Sequence, residues 1–120
     1  MKLKEINECM DQVKRDVGEA LVCSVIANVA NGSAIAKHNC DDKLGAVSAQ
    51  IISFLKDIMA NDGQEPGKYM FASVDDKLIG VFIIVGEYVW NITIDPEKMP
   101  IGMLLNVYLD DFVSAFRNAL

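Results

Sequence analysis

Histidine and tryptophan occur once each in the 120 residues, and cysteine and proline three times each. Each scarcity excludes something. With His38 as the single imidazole there is no H-E-x-x-H zinc motif. No G-x-S-x-G elbow occurs, and no glycine-rich loop precedes a Lys-Ser/Thr pair. The three cysteines, Cys9, Cys23 and Cys40, form no C-x-x-C pair and leave an odd one over, the usage of a reduced, cytoplasmic setting. The longest apolar run, Leu78 to Val85, falls far short of the roughly 20 residues that span a bilayer. Positive charge is also short. Eleven Lys and Arg stand against 17 Asp and Glu, a net charge of −6, which argues against a phosphate-binding surface, nucleic acid or attachment to anionic lipid. The opening Met1-Lys2-Leu3-Lys4-Glu5 has no apolar h-region, so no secretory signal is expected there.

What is present is apolar patterning. Apolar residues make up 52% of the chain and charged residues 23%, an apolar surplus that a small protein often hides against a partner. The period of that pattern changes along the chain and predicts the order helix, two strands, helix, three strands, helix. This is a mixed α/β arrangement of the α+β kind, read as one domain over residues 1–120.

Leu3, Ile6, Met10, Val13 and Val17 recur at helical spacing, and Gly18 is the natural stop. Ala20 to Asn28 is apolar on both faces and predicts a strand covered on both sides. Asn31-Gly32 predicts a tight turn into Ser33–His38; with a two-residue loop Cys23 opposes Cys40 and Val25 opposes His38. Asp41 or Asp42 caps a helix to about Asn61, with Leu44, Val47, Ile51, Leu55 and Ile58 as its expected core stripe. A second line on that helix, Gly45, Ala49 and Ile52, has the small residues that let another helix approach. Lys68–Val74, Leu78–Val85 and Tyr88–Ile94 follow as an antiparallel meander, with Tyr88, Trp90, Ile92 and Ile94 on one face. The last helix carries Ile101, Leu104, Leu105, Tyr108, Phe112, Phe116 and Leu120 inward.

Few residues converge on chemistry. His38, Cys40, Asp41 and Asp42 have metal-ligand side chains at loose spacing and read better as a strand end running into a helix cap. The pairs Asp41/Asp42, Asp75/Asp76 and Asp110/Asp111 sit at a cap, a turn and a helix surface, where neighbouring carboxylates diverge. A cross-strand Cys23–Cys40 redox pair reads better as two small buried hydrophobes. Arg15 and Arg117 read as surface charge rather than as an arginine finger. No catalytic residue, metal ligand or cofactor is assigned, and no enzyme is expected.

The segments Ala20–Asn28, Asn31-Gly32-Ser-Ala-Ile-Ala and Met99-Pro-Ile-Gly-Met-Leu-Leu, with the element order, resemble the Roadblock / dynein light chain family over nearly the whole chain. The resemblance implies a five-stranded antiparallel sheet sandwiched by helices, one on one face and two on the other. It implies a dimer, with itself or with a related chain, in which third strands join edge to edge and second helices pack together. It further implies a non-enzymatic regulator or scaffold of a Ras-like small GTPase, of the kind bacteria use as GTPase-activating partners in gliding and polarity. On that basis Gly45, Ala49, Ile52 and Lys56 are expected near the dimer axis, with Tyr69 and Phe71 on the joining strand. Gln50, Ser53 and Asp57 are expected to face the GTPase. A profilin- or PAS-like sensory module holding a small ligand between sheet and helix is the alternative, with Asn91 and Thr93 as its polar candidates.

Overall fold

The computed structural model describes residues 1–120. Helix α1 (Leu3–Val17) buries Ile6, Cys9, Met10, Val13 and Val17, and Gly18 closes it at a φ of 61°, which favours a residue without Cβ. A single 3₁₀ turn leads into β1 (Leu21–Asn28), followed by β2 (Ala34–His38) and α2 (Asp42–Asn61). The meander is β3 (Tyr69–Val74), β4 (Leu78–Val85) and β5 (Tyr88–Ile94). The C-terminal helix runs as α3 (Ile101–Met103), a π-helical stretch (Leu104–Tyr108) and α4 (Leu109–Ala119). No helix is long and apolar enough to cross a membrane.

The five strands form one sheet in the order β2-β1-β5-β4-β3, every neighbouring pair antiparallel. α1 and the C-terminal helix share one face and α2 lies on the other. Trp90 anchors the two-helix side, with its ring 5.7 Å from Phe112 and 5.5 Å from Phe116. Its indole N–H donates to Ser24 Oγ at 2.8 Å, and that hydroxyl donates onward to the Asn91 carbonyl at 2.8 Å. Both polar groups are therefore satisfied inside an apolar layer.

The core is lopsided. Nineteen buried residues form the cluster under α1 and the C-terminal helix, against six under α2. A single helix covers less of a sheet than two, so the α2 side leaves apolar surface uncovered.

Two expectations from the sequence are corrected. The β1–β2 ladder pairs Ser24 with His38 and Val25 with Lys37, one residue off the expected register, and slips again at Ala27. The cause is local: Asn28 Oδ1 accepts from the Ala30 and Asn31 amides at 2.8 and 3.3 Å, which widens the loop beyond two residues. Cys23 consequently does not face Cys40 across the ladder, and the Cys40 thiol donates to the Ser24 carbonyl at 3.2 Å. In the last helix the expected inward set lacks Leu109 and Val113, which are buried, while Leu105 and Tyr108 pack against the same core only half-buried. The π stretch inserts one residue, so Leu104 and Phe112, which a regular α-helix would set about 80° apart, fall within about 20° of one face.

Cys9 is buried at the edge of the larger core, and burial, then Glu5 and Glu8, push its thiol from 9.0 up to about 11. A folded pKa above the unfolded one gives stability that is whole below pH 9 and is lost as pH rises toward 11. Urea midpoints should fall over that alkaline window, and less steeply in Cys9→Ala. An equal slope in both proteins would assign the loss to other groups.

Candidate partner-binding surface

Helix α2 begins at Asp41, whose carboxylate accepts from the Lys43 amide at 3.0 Å. Beside this cap Lys37 Nζ reaches Asp42 at 2.9 Å, and that carboxylate raises the lysine's pKa. The expected inner and outer faces of α2 are exchanged. Gly45, Ser48, Ala49 and Ile52 lie against the sheet, and Ala49 is only 2% exposed. A Cβ on Gly45 would stand 3.4 Å from Val25 Cγ2, so the helix sits close because its inward residues are small. Large side chains rising from the sheet, Phe82 and Ile84, fill the remaining depth. Gly45, Ala49 and Ile52 are therefore packed within the protomer and do not form an outer seam.

Three of the five residues expected in the core stripe, Val47, Ile51 and Ile58, point outward, while Leu44 and Leu55 are half-buried. Val47, Ile51, Phe54 and Ile58, spaced four, three and four residues apart, line one exposed face, with Phe54 67% exposed. Phe54 was absent from the sequence expectation. Its spacing from Val47, Ile51 and Ile58 was the signal that could have joined it to them. Gln50, Ser53 and Asp57 are exposed, as a surface role requires. Lys56 is turned to its own chain and donates to the Gly86 carbonyl at 2.6 Å, so it ties α2 to the β4–β5 turn.

β3 is the sheet edge beyond β4, and its outer side pairs with nothing in the chain. Tyr69 and Phe71 are exposed on it, stacked with ring centres 6.4 Å apart. On the opposite face of the strand Met70, Ala72 and Val74 turn toward α2. Between them and the helix runs a groove of about 300 Å³, walled by Leu44, Val47, Ile51 and Phe82 and floored by Ser48, Asn91 and Thr93. Asn91 and Thr93 are thus buried on the α2 side of β5, back to back with Trp90 and Ile92.

Other polar clusters stay dispersed. No group of three or more His, Cys, Asp or Glu side chains gathers as a metal-ligand set. Asp75 and Asp76 both adopt positive φ, 54° and 56°, as the central pair of the β3–β4 turn.

With this geometry in hand, the fold is that of the Roadblock domain. The chain superposes on Myxococcus xanthus MglB with a TM-score of 0.81, at 16% identity over 97% of this chain and 87% of that one. It superposes on a Roadblock/LC7 domain from Streptomyces avermitilis with a TM-score of 0.73, at 14% identity over 92% of this chain and 93% of that one. Acanthamoeba castellanii profilin IA is less similar, with a TM-score of 0.53 at 16% identity over 88% and 93% of the two chains. No family sequence model and no curated protein sequence matches. The likeness is one of fold.

Proposed function

We propose that this protein is a cytoplasmic, non-enzymatic regulator or scaffold of a Ras-like small GTPase, acting as a dimer of itself or with a related Roadblock chain. The observation that carries this reading is the pairing of two unsatisfied surfaces. An apolar stripe on α2 and an open β3 edge lie side by side at one margin of a Roadblock fold. Exposed strand edges invite pairing, and monomers seldom leave such stripes bare. Val47, Ile51, Phe54 and Ile58 then replace Gly45, Ala49 and Ile52 as the helix contact, while Tyr69 and Phe71 flank the strand contact. Gln50, Ser53 and Asp57 lie on the remaining exposed helix surface and are assigned to the GTPase. The role is GTPase-activating or localising; no nucleic acid, cofactor or membrane insertion enters it.

Immobilised protein should retain a small GTPase from lysate of its own organism in the presence of a non-hydrolysable GTP analogue, and far less with GDP. Replacing Gln50, Ser53 and Asp57 together by alanine should lower that retention severalfold while leaving the dimer intact. Absence of any GTPase in either nucleotide state would sink the reading.

A further inference from the structure

The outer edge of β3 has a charge pattern that distinguishes one partner from another. The Lys68 carbonyl accepts from the Ile84 amide at 2.9 Å, and the ladder goes on to pair Met70 with Phe82, Ala72 with Gly80 and Val74 with Leu78. Hydrogen bonding alternates along an antiparallel strand. The N–H and C=O groups of Tyr69, Phe71 and Ser73 therefore point away from β4, where no strand of the chain meets them. Edge strands are commonly guarded by charge or proline, and Tyr69–Val74 contains neither. Charge stands just beyond the two ends and differs in sign: Lys68 before the strand, Asp75 and Asp76 after it. All three side chains are exposed, and none is in an ion pair within the chain. Lys77, the cation that follows, shares a hollow with Asp95 and Glu97 of its own chain.

We propose that this edge is specific for a second copy of the same chain, joined antiparallel with the two-fold axis at Phe71 and latched at both ends by Lys68 of one protomer against the Asp75-Asp76 turn of the other. This rests on the dimer of the proposed function and decides what that reading leaves open, an identical partner over a related one. Charge selects the self-pair. Antiparallel copies bring the basic end of one strand to the acidic end of its twin, and two-fold symmetry makes the match twice. A parallel pair would set like charge on like. The register follows from the outward groups. With the axis at Phe71, Tyr69 faces the partner's Ser73, Phe71 faces the partner's Phe71, and every outward N–H and C=O is matched. Lys68 then lies one diagonal step from the partner's Asp76, within reach of a long side chain. An axis at Met70 would run Ser73 on to the partner's Gly67, outside the strand, and carry Glu65 toward the partner's Asp75. An axis at Ala72 would set Tyr69 against the partner's Asp75, whose φ of 54° has left strand geometry.

Sedimentation velocity of the full chain over a dilution series measures the dimer constant. Lys68→Glu places like charge in both latches and should weaken the dimer about tenfold or more. The double variant Asp75→Asn, Asp76→Asn should weaken it about threefold, and asparagine tolerates the positive φ that both positions require. An equimolar mixture of the two proteins should form a heterodimer tighter than the dimer of either alone, because one latch is restored in it. A general loss of structure would weaken the mixture as well. Oxidation with copper–phenanthroline tests the axis. Phe71→Cys should give a disulfide-linked dimer, since Cα atoms facing each other in such a pair lie about 5.5 Å apart. Tyr69→Cys should not link to itself, its two copies being about 13 Å apart, yet should link to Ser73→Cys on mixing. The parent, with Cys9, Cys23 and Cys40 as free thiols, is the control.

A mixture no tighter than the asparagine variant alone would overturn the proposal, as would Tyr69→Cys linking to itself in place of Phe71→Cys. A parent that stays monomeric throughout the dilution series would overturn it too, while sparing the GTPase reading, which admits a related chain as partner. The converse failure is equally distinct. A chain that dimerises and links as described, yet retains no GTPase in either nucleotide state, would sink that reading and leave this one standing.

Discussion

Phe54→Asp is expected to leave the protein folded and to separate it into monomers. The side chain is 67% exposed, so its replacement should change protomer stability by no more than about 0.5 kcal/mol. At the centre of an apolar interface an aromatic anchor is worth about 2 kcal/mol or more, so dimer affinity should fall roughly thirtyfold or further. Sedimentation velocity at matched concentrations reads the difference, and circular dichroism confirms the fold. An undisturbed dimer would move the interface away from this face of α2. Ala49→Glu is the contrasting case. Ala49 is packed on the sheet, so the new carboxylate would be buried without a partner, and loss of the fold is expected in place of clean monomers.

The second large effect belongs to the opposite side of the sheet. Trp90→Ala should lower unfolding free energy by about 3–5 kcal/mol, because it opens a cavity against Phe112 and Phe116 at the centre of the larger core. Small domains have only about 5–15 kcal/mol in total, so this variant should be largely unfolded near physiological temperature. Ser24→Ala separates the polar share of that contribution. It leaves the ring packed but strips the indole N–H of its acceptor, at a cost of about 1–3 kcal/mol. Urea unfolding followed by tryptophan fluorescence measures both. A Ser24→Ala protein as stable as the parent would mean that the indole finds another acceptor.

The legible part of this fold was the order of its elements and most of their ends. Leu78–Val85 and Tyr88–Ile94 coincide with the expected strands because a period of two admits little slippage where both faces are covered. The α2 cap at Asp41 was likewise readable, since an aspartate before a helical apolar period has a defined hydrogen bond to make. Which face of α2 turns inward was not readable. The helix has two apolar lines, and the choice depends on the size of the side chains below it. Gly45 rides close over Val25, Ala27 and Ala34 of β1 and β2, while Ile52 reaches Phe82 and Ile84 on a strand about thirty residues further along, and both contacts turn the Gly45, Ala49 and Ile52 line inward. The π stretch at Leu104–Tyr108 was hidden for a related reason. Leu104, Leu105 and Tyr108 satisfy a regular period, and only docking on the sheet decides that Leu104 should align with Leu109 and Phe112. Strand alternation did place Asn91 and Thr93 opposite Trp90. Their burial beside Ser48 needed the depth at which α2 rides over the sheet.

The unequal division of the core has a thermodynamic consequence for the intact molecule. With the larger cluster on one side, α2 rests on the smaller reservoir of buried contacts, so it should open at less cost than α1 or the C-terminal helix. Any species that binds its outer stripe only in the closed position adds its association energy to the fold by mass action. Thermal unfolding of such a chain has no single intrinsic midpoint. For the proposed dimer the midpoint should rise with protein concentration, and added partner should raise it further.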